Sequence, residues 1–326
     1  MQSTDGEQVR RGDTFFRQTR QLTADVAGID AAATLLLRGE CVAFPTETVY
    51  GLGADATNGH AVAGVYTAKG RPSFNPLIAH VADISMAERL VTMNAQARVL
   101  AEKFWPGPLT LVLPRIGEIS DLVTAGLDTL AVRVPAHPVA QAILRAMDRP
   151  VAAPSANPSG RISPTSAAHV TDGLDGRIAA VLDGGDCAVG LESTILGWDG
   201  DTPVLLRPGG LAVEEIEAAL ARPVTLHQGS DITAPGQLTS HYAPQGALRL
   251  NVTDPAEGEL LLRFADGPSE WSLSPTGDLT EAAANLFSLL RRADATAPRI
   301  AVAPIPMHGL GSAINDRLQR AAAPRD

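Results

Sequence analysis

Between Gln21 and Leu220 short apolar runs of strand length alternate with stretches of helical periodicity, and this interleaving constrains the fold more than any other property of the chain. It is the pattern of an α/β domain built on a large mixed sheet. Ile29 to Leu37 repeats its apolar residues at helical spacing and stops at Gly39, a natural C-terminal cap. Cys41 to Phe44 then reads as a buried strand ending at Pro45. Further strands are expected at Leu77 to Val81, Leu109 to Leu113, Thr129 to Val134, Val151 to Ala153, Ala179 to Leu182, Ser193 to Leu196 and Val204 to Arg207. Helices are expected over Ala61 to Ala68, Ala95 to Phe104, Pro138 to Met147, Pro164 to Val170 and Val213 to Leu220.

Arg222 to Pro244 breaks this pattern, with Pro223, Pro235 and Pro244 and little periodicity, so it reads as a linker. Beyond it Ala247 to Leu250, Leu260 to Phe264, a helix from Thr280 to Arg291, Ile300 to Val302 and a closing helix from Ala313 to Ala322 make a small second α/β unit. The polar, arginine-rich residues before Gln21 read as a loosely attached arm. The expected division is therefore an arm at 1–20, a first domain at 21–221, a linker at 222–245 and a small second domain at 246–326.

With a formal net charge of -10, the chain is poorly suited to indiscriminate binding of nucleic acid, although a local basic pocket stays open to it. Cys41 and Cys187 have no Cys-x-x-Cys or Cys/His spacing, so they read as reduced core residues and not as a disulfide framework or metal site. No secretory leader and no run of the roughly 18 apolar residues of a membrane span is visible, and a cytoplasmic location is expected.

The chain holds two lysines against twenty-four arginines. Lysine is a compact point charge where arginine is a planar fork, so Lys69 and Lys103 stand out, and Lys69 becomes the first candidate for chemistry. It closes a helix and runs into Gly70, Arg71, Pro72, Asn75 and Pro76, with His80 following: donors and cations on a restrained loop that suit a polyphosphate. A solvated basic loop is the plain alternative, and His80 alone would suit a core position. Lys103, beside the Trp105 turn, has no assigned role.

Pro45-Thr46-Glu47-Thr48 follows a strand, where loops commonly build ligand sites, with Gly51 and Gly53 letting the chain turn closely; a capped connection would also account for it. Arg133 lies in an apolar strand and must either reach an anion or have a carboxylate partner. Ser155 and Asn157 lie in a hydroxyl-rich loop, and Ser163 before Pro164 reads as a helix N-cap. Glu192-Ser193-Thr194 and Arg207-Pro208-Gly209 place polar groups at strand ends, which is as consistent with structure as with a site. There is no Walker loop, Gly-x-Gly-x-x-Gly or Gly-x-Ser-x-Gly, which disfavours the commoner nucleotide-binding and hydrolase schemes.

In order, Phe44 to Gly53, Lys69-Gly-Arg-Pro with Asn75-Pro-Leu, Trp105-Pro-Gly-Pro-Leu-Thr, Arg133-Val-Pro, Pro154-Ser-Ala-Asn, Glu192-Ser-Thr and Arg207-Pro-Gly resemble the YrdC-like threonylcarbamoyl-AMP synthases. The motifs span about Val26 to Leu220, and Ser240-His241-Tyr242-Ala243-Pro244 is similar to the linker of the two-domain members. The resemblance implies a YrdC-like twisted mixed sheet joined to a small Rossmann-like C-terminal domain. It implies that L-threonine, bicarbonate and ATP become threonylcarbamoyl-AMP and pyrophosphate, the product being passed to a separate transferase complex that modifies tRNA. By motif position, Thr46, His80, Arg133, Ala153 and Ser193 would surround threonine. Lys69, Arg71, Asn75, Thr129, Ser155, Ser163 and Arg207 would face ATP, and Tyr242 would close over it, with Lys69 and Arg71 supplying catalytic charge.

Such chemistry needs neutralised phosphates and alignment more than a strong base. The threonine carboxylate would then supply the partner that Arg133 needs. Mg²⁺ is expected to arrive with ATP, with no dedicated metal ligands and no tightly bound cofactor. Two rivals remain: a relative that handles a carbamoyl adenylate, which would usually carry added segments absent here, and a protein that binds double-stranded RNA or matures ribosomes, which the acidic charge disfavours. No stable direct contact with nucleic acid or membrane is expected.

Overall fold

The computed structural model describes residues 9–11, 14–16, 18–227, 234–236, 240–267 and 269–324. Much of the expected arm (1–8, 12–13 and 17) and part of the expected linker (228–233 and 237–239) lie outside them. Among the described residues eleven strands form one sheet, in the order Thr225–Leu226, Thr202–Arg207, Thr194–Asp199, Leu109–Pro114, Thr129–Arg133, Ile78–His80, Val151–Ala152, Gly51–Asp55, Val42–Phe44, Ala180–Asp183 and Arg20–Thr23. Parallel and antiparallel neighbours alternate irregularly, so the sheet is mixed as expected.

The interior strands are mainly apolar and buried, as in a sheet covered on both faces, with His80 and Arg133 among their few polar residues. Helix Val26–Leu37 covers part of one face; Asp25 accepts the Gly28 N–H at its start, and Gly39, at φ 84°, follows its last turn. Helices Ala95–Phe104, Pro138–Met147 and Val213–Leu220 have the expected bounds.

The structure corrects four local expectations. Gly51 and Gly53 are strand residues, not turn residues, and a side chain at Gly53 would collide with Phe44. The helix expected from Pro164 begins at Ala167, with Ser166 as its N-cap. The Pro164 carbonyl instead accepts the Tyr50 N–H, and the Ser163 hydroxyl is engaged elsewhere. Thr225–Leu226, assigned to the linker, extends the sheet beside Thr202–Arg207. At the other edge the sheet begins at Arg20, whose N–H donates to Ala179, and Val9–Arg11 pairs with Thr14–Phe16.

A second apolar core lies in the C-terminal unit. Strands Ala247–Arg249, Arg299–Val302 and Leu260–Leu262 pair in parallel, in that order, beside helices Leu279–Thr296 and Leu310–Ala322. The two units meet closely at Gly190: at φ 75°, a side chain there would stand 2.4 Å from the Ala283 carbonyl oxygen. No described helix is long and apolar enough to cross a membrane.

Candidate active site

The middle of the large sheet brings four loops to one place. The Thr46 hydroxyl closes the turn after Val42–Phe44, accepting the Thr48 and Val49 N–H groups and donating to the Val49 carbonyl. His80 and Arg133 end neighbouring parallel strands as register partners, so both reach the same end of the sheet. Ala153 and Ser155 follow the strand Val151–Ala152, which pairs with both Ile78–His80 and Gly51–Asp55. Ser193 leads into Thr194–Asp199, whose antiparallel partner ends at Arg207. The chain after Arg207 folds back tightly: a side chain at Gly209 would stand 2.3 Å from the Glu192 carbonyl oxygen.

These loops enclose a cavity of about 50 Å³, closed on one side by Pro235, Gly236, His241 and Tyr242 of the linker. Tyr242 is 1% exposed and adopts φ 61°, a left-handed conformation costly for a tyrosine. Its ring stacks on Phe287 of the C-terminal unit, 5.6 Å between centroids.

Three arginines line the cavity, each held by fixed oxygen atoms. Arg133 donates to the Gly107 carbonyl at 3.1 Å, to Thr48 at 3.0 Å and to Glu47 Oε1 at 2.6 Å. Its required carboxylate is therefore Glu47, three residues into the first motif, and not solely a substrate group. Arg207 donates to the Ser193 carbonyl at 2.8 Å and to the Pro235 carbonyl at 3.2 Å. Arg71 grips its own loop through the Asn75 and Pro76 carbonyls, and burial lowers its pKa to about 10, leaving it cationic.

Burial, reinforced by Arg133, pushes His80 down to about 3, and its Nδ1 has no partner, so the cavity wall presents a neutral imidazole. Among the described residues Glu192 is the one carboxylate that lines the cavity. Burial acts to raise its pKa, but Arg317, Arg207 and the Ser163 hydrogen bond outweigh it and hold the group below the ordinary value.

All the residues implied by the resemblance line this cavity except Lys69, Asn75, Thr129 and Ser163. Lys69 lies behind the wall, its Nζ donating to the Ser155 and Asn157 carbonyls at 2.5 Å each, and burial pushes its pKa well down. Asn75 is buried beside Arg71 with neither atom of its side-chain amide bonded. Ser163 donates to Glu192 Oε1 at 2.5 Å, and Thr129 starts the strand that Arg133 ends. Lys103 stands over the Phe104 ring. Cys41 and Cys187 are free and buried, with burial raising both thiols to about 12, which leaves them inert.

Sequence reasoning did not assign Glu47, Glu192, His241 or Arg317 to the site. Arg317 carried a readable signal: it occupies the apolar stripe of its helix between Ile314, Leu318 and Ala321. Among the described residues no three His, Cys, Asp or Glu side chains cluster as metal ligands.

A family model described as telomere recombination, covering Sua5, YciO and YrdC, matches residues 34–209. Another, described as the C-terminal domain of threonylcarbamoyl-AMP synthase, matches residues 211–323. The threonylcarbamoyl-AMP synthase of Bacillus subtilis is 43% identical, over 95% of this chain and 97% of its own length. That of Pyrococcus abyssi is 41% identical, over 91% of this chain and 94% of its own. The crystal structure of P. abyssi Sua5 complexed with L-threonine superposes with a TM-score of 0.85 at 38% identity, covering 93% of this chain and 97% of that one. Matches of this extent, spanning both units, show that the chain belongs to the two-domain, YrdC-like Sua5 family of threonylcarbamoyl-AMP synthases.

Proposed function

We propose that this chain joins L-threonine, bicarbonate and ATP into threonylcarbamoyl-AMP, releasing pyrophosphate and water. The observation that carries the reading is the convergence of Arg71, Arg133 and Arg207 on one cavity where Glu192, the one lining carboxylate among the described residues, is already paired with Arg317. A wall with surplus positive charge and little water selects anions, and all three substrates carry anionic groups.

Threonine fits the end made by Thr46, His80, Arg133, Ala153 and Ser193. Arg133 uses three of its five N–H groups on Glu47, Thr48 and Gly107, which fixes its plane and leaves two for a carboxylate. The neutral His80 does not repel the substrate amine and can accept a hydrogen bond from it. Once deprotonated, the amine adds to the carbon of carbon dioxide or bicarbonate, giving a carbamate; from bicarbonate, water leaves. A carbamate oxygen then attacks the α-phosphorus of ATP, and the bond to the β-phosphate bridge breaks with pyrophosphate as the leaving group. Arg71 and Arg207 neutralise the phosphates, with Asn75, Ser155, Ser163, Thr129 and Lys69 shaping the nucleotide side from the wall or behind it. This is catalysis by alignment and charge.

Both Glu192 oxygens are engaged, by Ser163 and Arg317, so the donor set does not suit a resident divalent ion. Mg²⁺ would arrive with ATP and would add to the charge that Arg71 and Arg207 set against the phosphates. The cavity of about 50 Å³ is far below the roughly 300–1,000 Å³ that encloses drug-sized ligands, so the segment carrying Tyr242, within the linker read at 222–245, must shift to admit ATP. The mixed anhydride product is activated for transfer to a tRNA adenosine by a separate complex, a role that fits a cytoplasmic location.

The test is pyrophosphate release from ATP with threonine and bicarbonate each omitted in turn. Release that needs both is expected, and release that ignores threonine overturns the proposal and favours a relative handling a simpler carbamoyl group.

A further inference from the structure

Arg317 lies on the helix Leu310–Ala322 of the C-terminal unit and is 1% exposed, yet its polar contacts reach into the first unit. Its Nε donates to Glu192 Oε2 at 2.7 Å and its Nη2 to the Pro208 carbonyl at 2.9 Å, while Nη1 donates to the neighbouring Asp316 at 2.5 Å. Its guanidinium stands 5.1 Å from the centre of the Tyr242 ring, within reach of a cation–π contact. One side chain of the second unit thus reaches the Glu192 loop and the turn after Arg207 in the first unit, and the linker that closes the cavity.

Packing alone does not explain this arginine. Ile314 and Leu318 already fill the core beside it, and an apolar residue in place of a buried ion pair often leaves a protein as stable or more so. The Glu192 loop is also held from the other side, since helix Leu279–Thr296 packs against Gly190 without room for a side chain.

We propose that Arg317 is a positioning residue for the reaction: acting through Glu192 and Tyr242, it holds the cavity wall in its closed arrangement, so that the C-terminal unit completes the active site. This rests on the reading of the cavity as the adenylate-forming site. The groups facing Glu192 are Arg317 on its helix, with Asp316 beside it, Arg207 from the strand Thr202–Arg207, Lys69 from the helix Gly59–Lys69, His241 and Tyr242 from the linker, and Ser163. Arg317 is the only one of these cations whose nitrogen bonds the carboxylate among the hydrogen bonds of the described residues. Without it, Glu192 would remain buried with weaker compensation and would take up a proton at higher pH.

The experiment compares R317M, E192Q and the double variant E192Q/R317M with the unaltered chain, reading kcat/KM for threonine-dependent pyrophosphate release across pH, with thermal unfolding alongside. For R317M the rate relative to the unaltered chain is expected to fall as pH is lowered, by about tenfold per pH unit once Glu192 protonates. In the double variant this added pH dependence disappears, because the titrating group is gone. A purely structural Arg317 would lower the unfolding temperature and leave the ratio constant with pH, and that result overturns the inference. If R317M does not fold, R317K is read instead: it keeps the charge but loses the fork. A loss of about tenfold in kcat/KM, the worth of one charged hydrogen bond, is then expected, and an unchanged value overturns the inference. Failure of the unaltered chain to need threonine would instead sink the proposed function, a separate outcome.

Discussion

Lys69 supports the wall of the cavity without lining it. Its ammonium carries the carbonyls of Ser155 and Asn157, and Ser155 lies on the cavity wall. Lys69→Met leaves the Asn157 carbonyl without a donor, while the Ser155 carbonyl keeps only the Asn157 N–H, so unfolding free energy is expected to drop by about 1–3 kcal/mol, measured by urea titration. Lys69→Arg keeps a cation but forces a wider group into a fully enclosed space, and a large loss of adenylate formation is expected; full activity would contradict the role given to this lysine. The scarcity of lysine in the sequence draws attention to Lys69, but the carbonyls that hold it are 86 and 88 positions away and leave no mark on its local sequence. The same distance hides the pairing of Glu192 with Arg317, 125 residues apart, whereas Arg133 announced its need for a partner by sitting in an apolar strand.

At the scale of elements, the sequence was legible where the determinants are local. Helix Pro138–Met147 begins at a proline in its first turn, and helix Ala95–Phe104 begins after Asn94, which accepts the Ala97 N–H; both have the bounds expected of them, and such signals are local. The strand Gly51–Asp55 was not, because its glycines suggest a turn until the packing of Phe44 and Ala153 against them is known. Helix ends also offer a test. Ala221 follows helix Val213–Leu220 at φ 51° and is exposed, so Ala221→Gly removes the left-handed strain while loosening the unfolded chain. The strain is the larger effect, and a stabilisation of about 0.5 kcal/mol is expected, read as a higher unfolding temperature. A lower one would place the entropy cost above the strain.

For the whole molecule, the buried site sets how stability depends on pH. Burial lowers His80 and His241 from 6.5 to about 3, so below pH 6.5 the unfolded chain binds two protons that the folded chain refuses. The stability they contribute is present above pH 6.5 and is lost as pH falls toward 3, at up to about 1.4 kcal/mol per pH unit for each. Glu192, held below its ordinary 4.5, adds a loss in the same direction at lower pH. Urea midpoints taken between about pH 7.5 and 5 should therefore fall with pH, and His80→Gln should flatten the slope; a flat profile in the unaltered chain would contradict the neutral, enclosed histidines. The same enclosure, built from both units, is where a carbamate would be joined to AMP. The direct measurement is mass spectrometry of the nucleotide product formed from ATP, threonine and ¹³C-bicarbonate. An AMP adduct carrying the threonylcarbamoyl group with one ¹³C is expected; an adduct without the label, or one formed equally well without threonine, would overturn the proposed reaction.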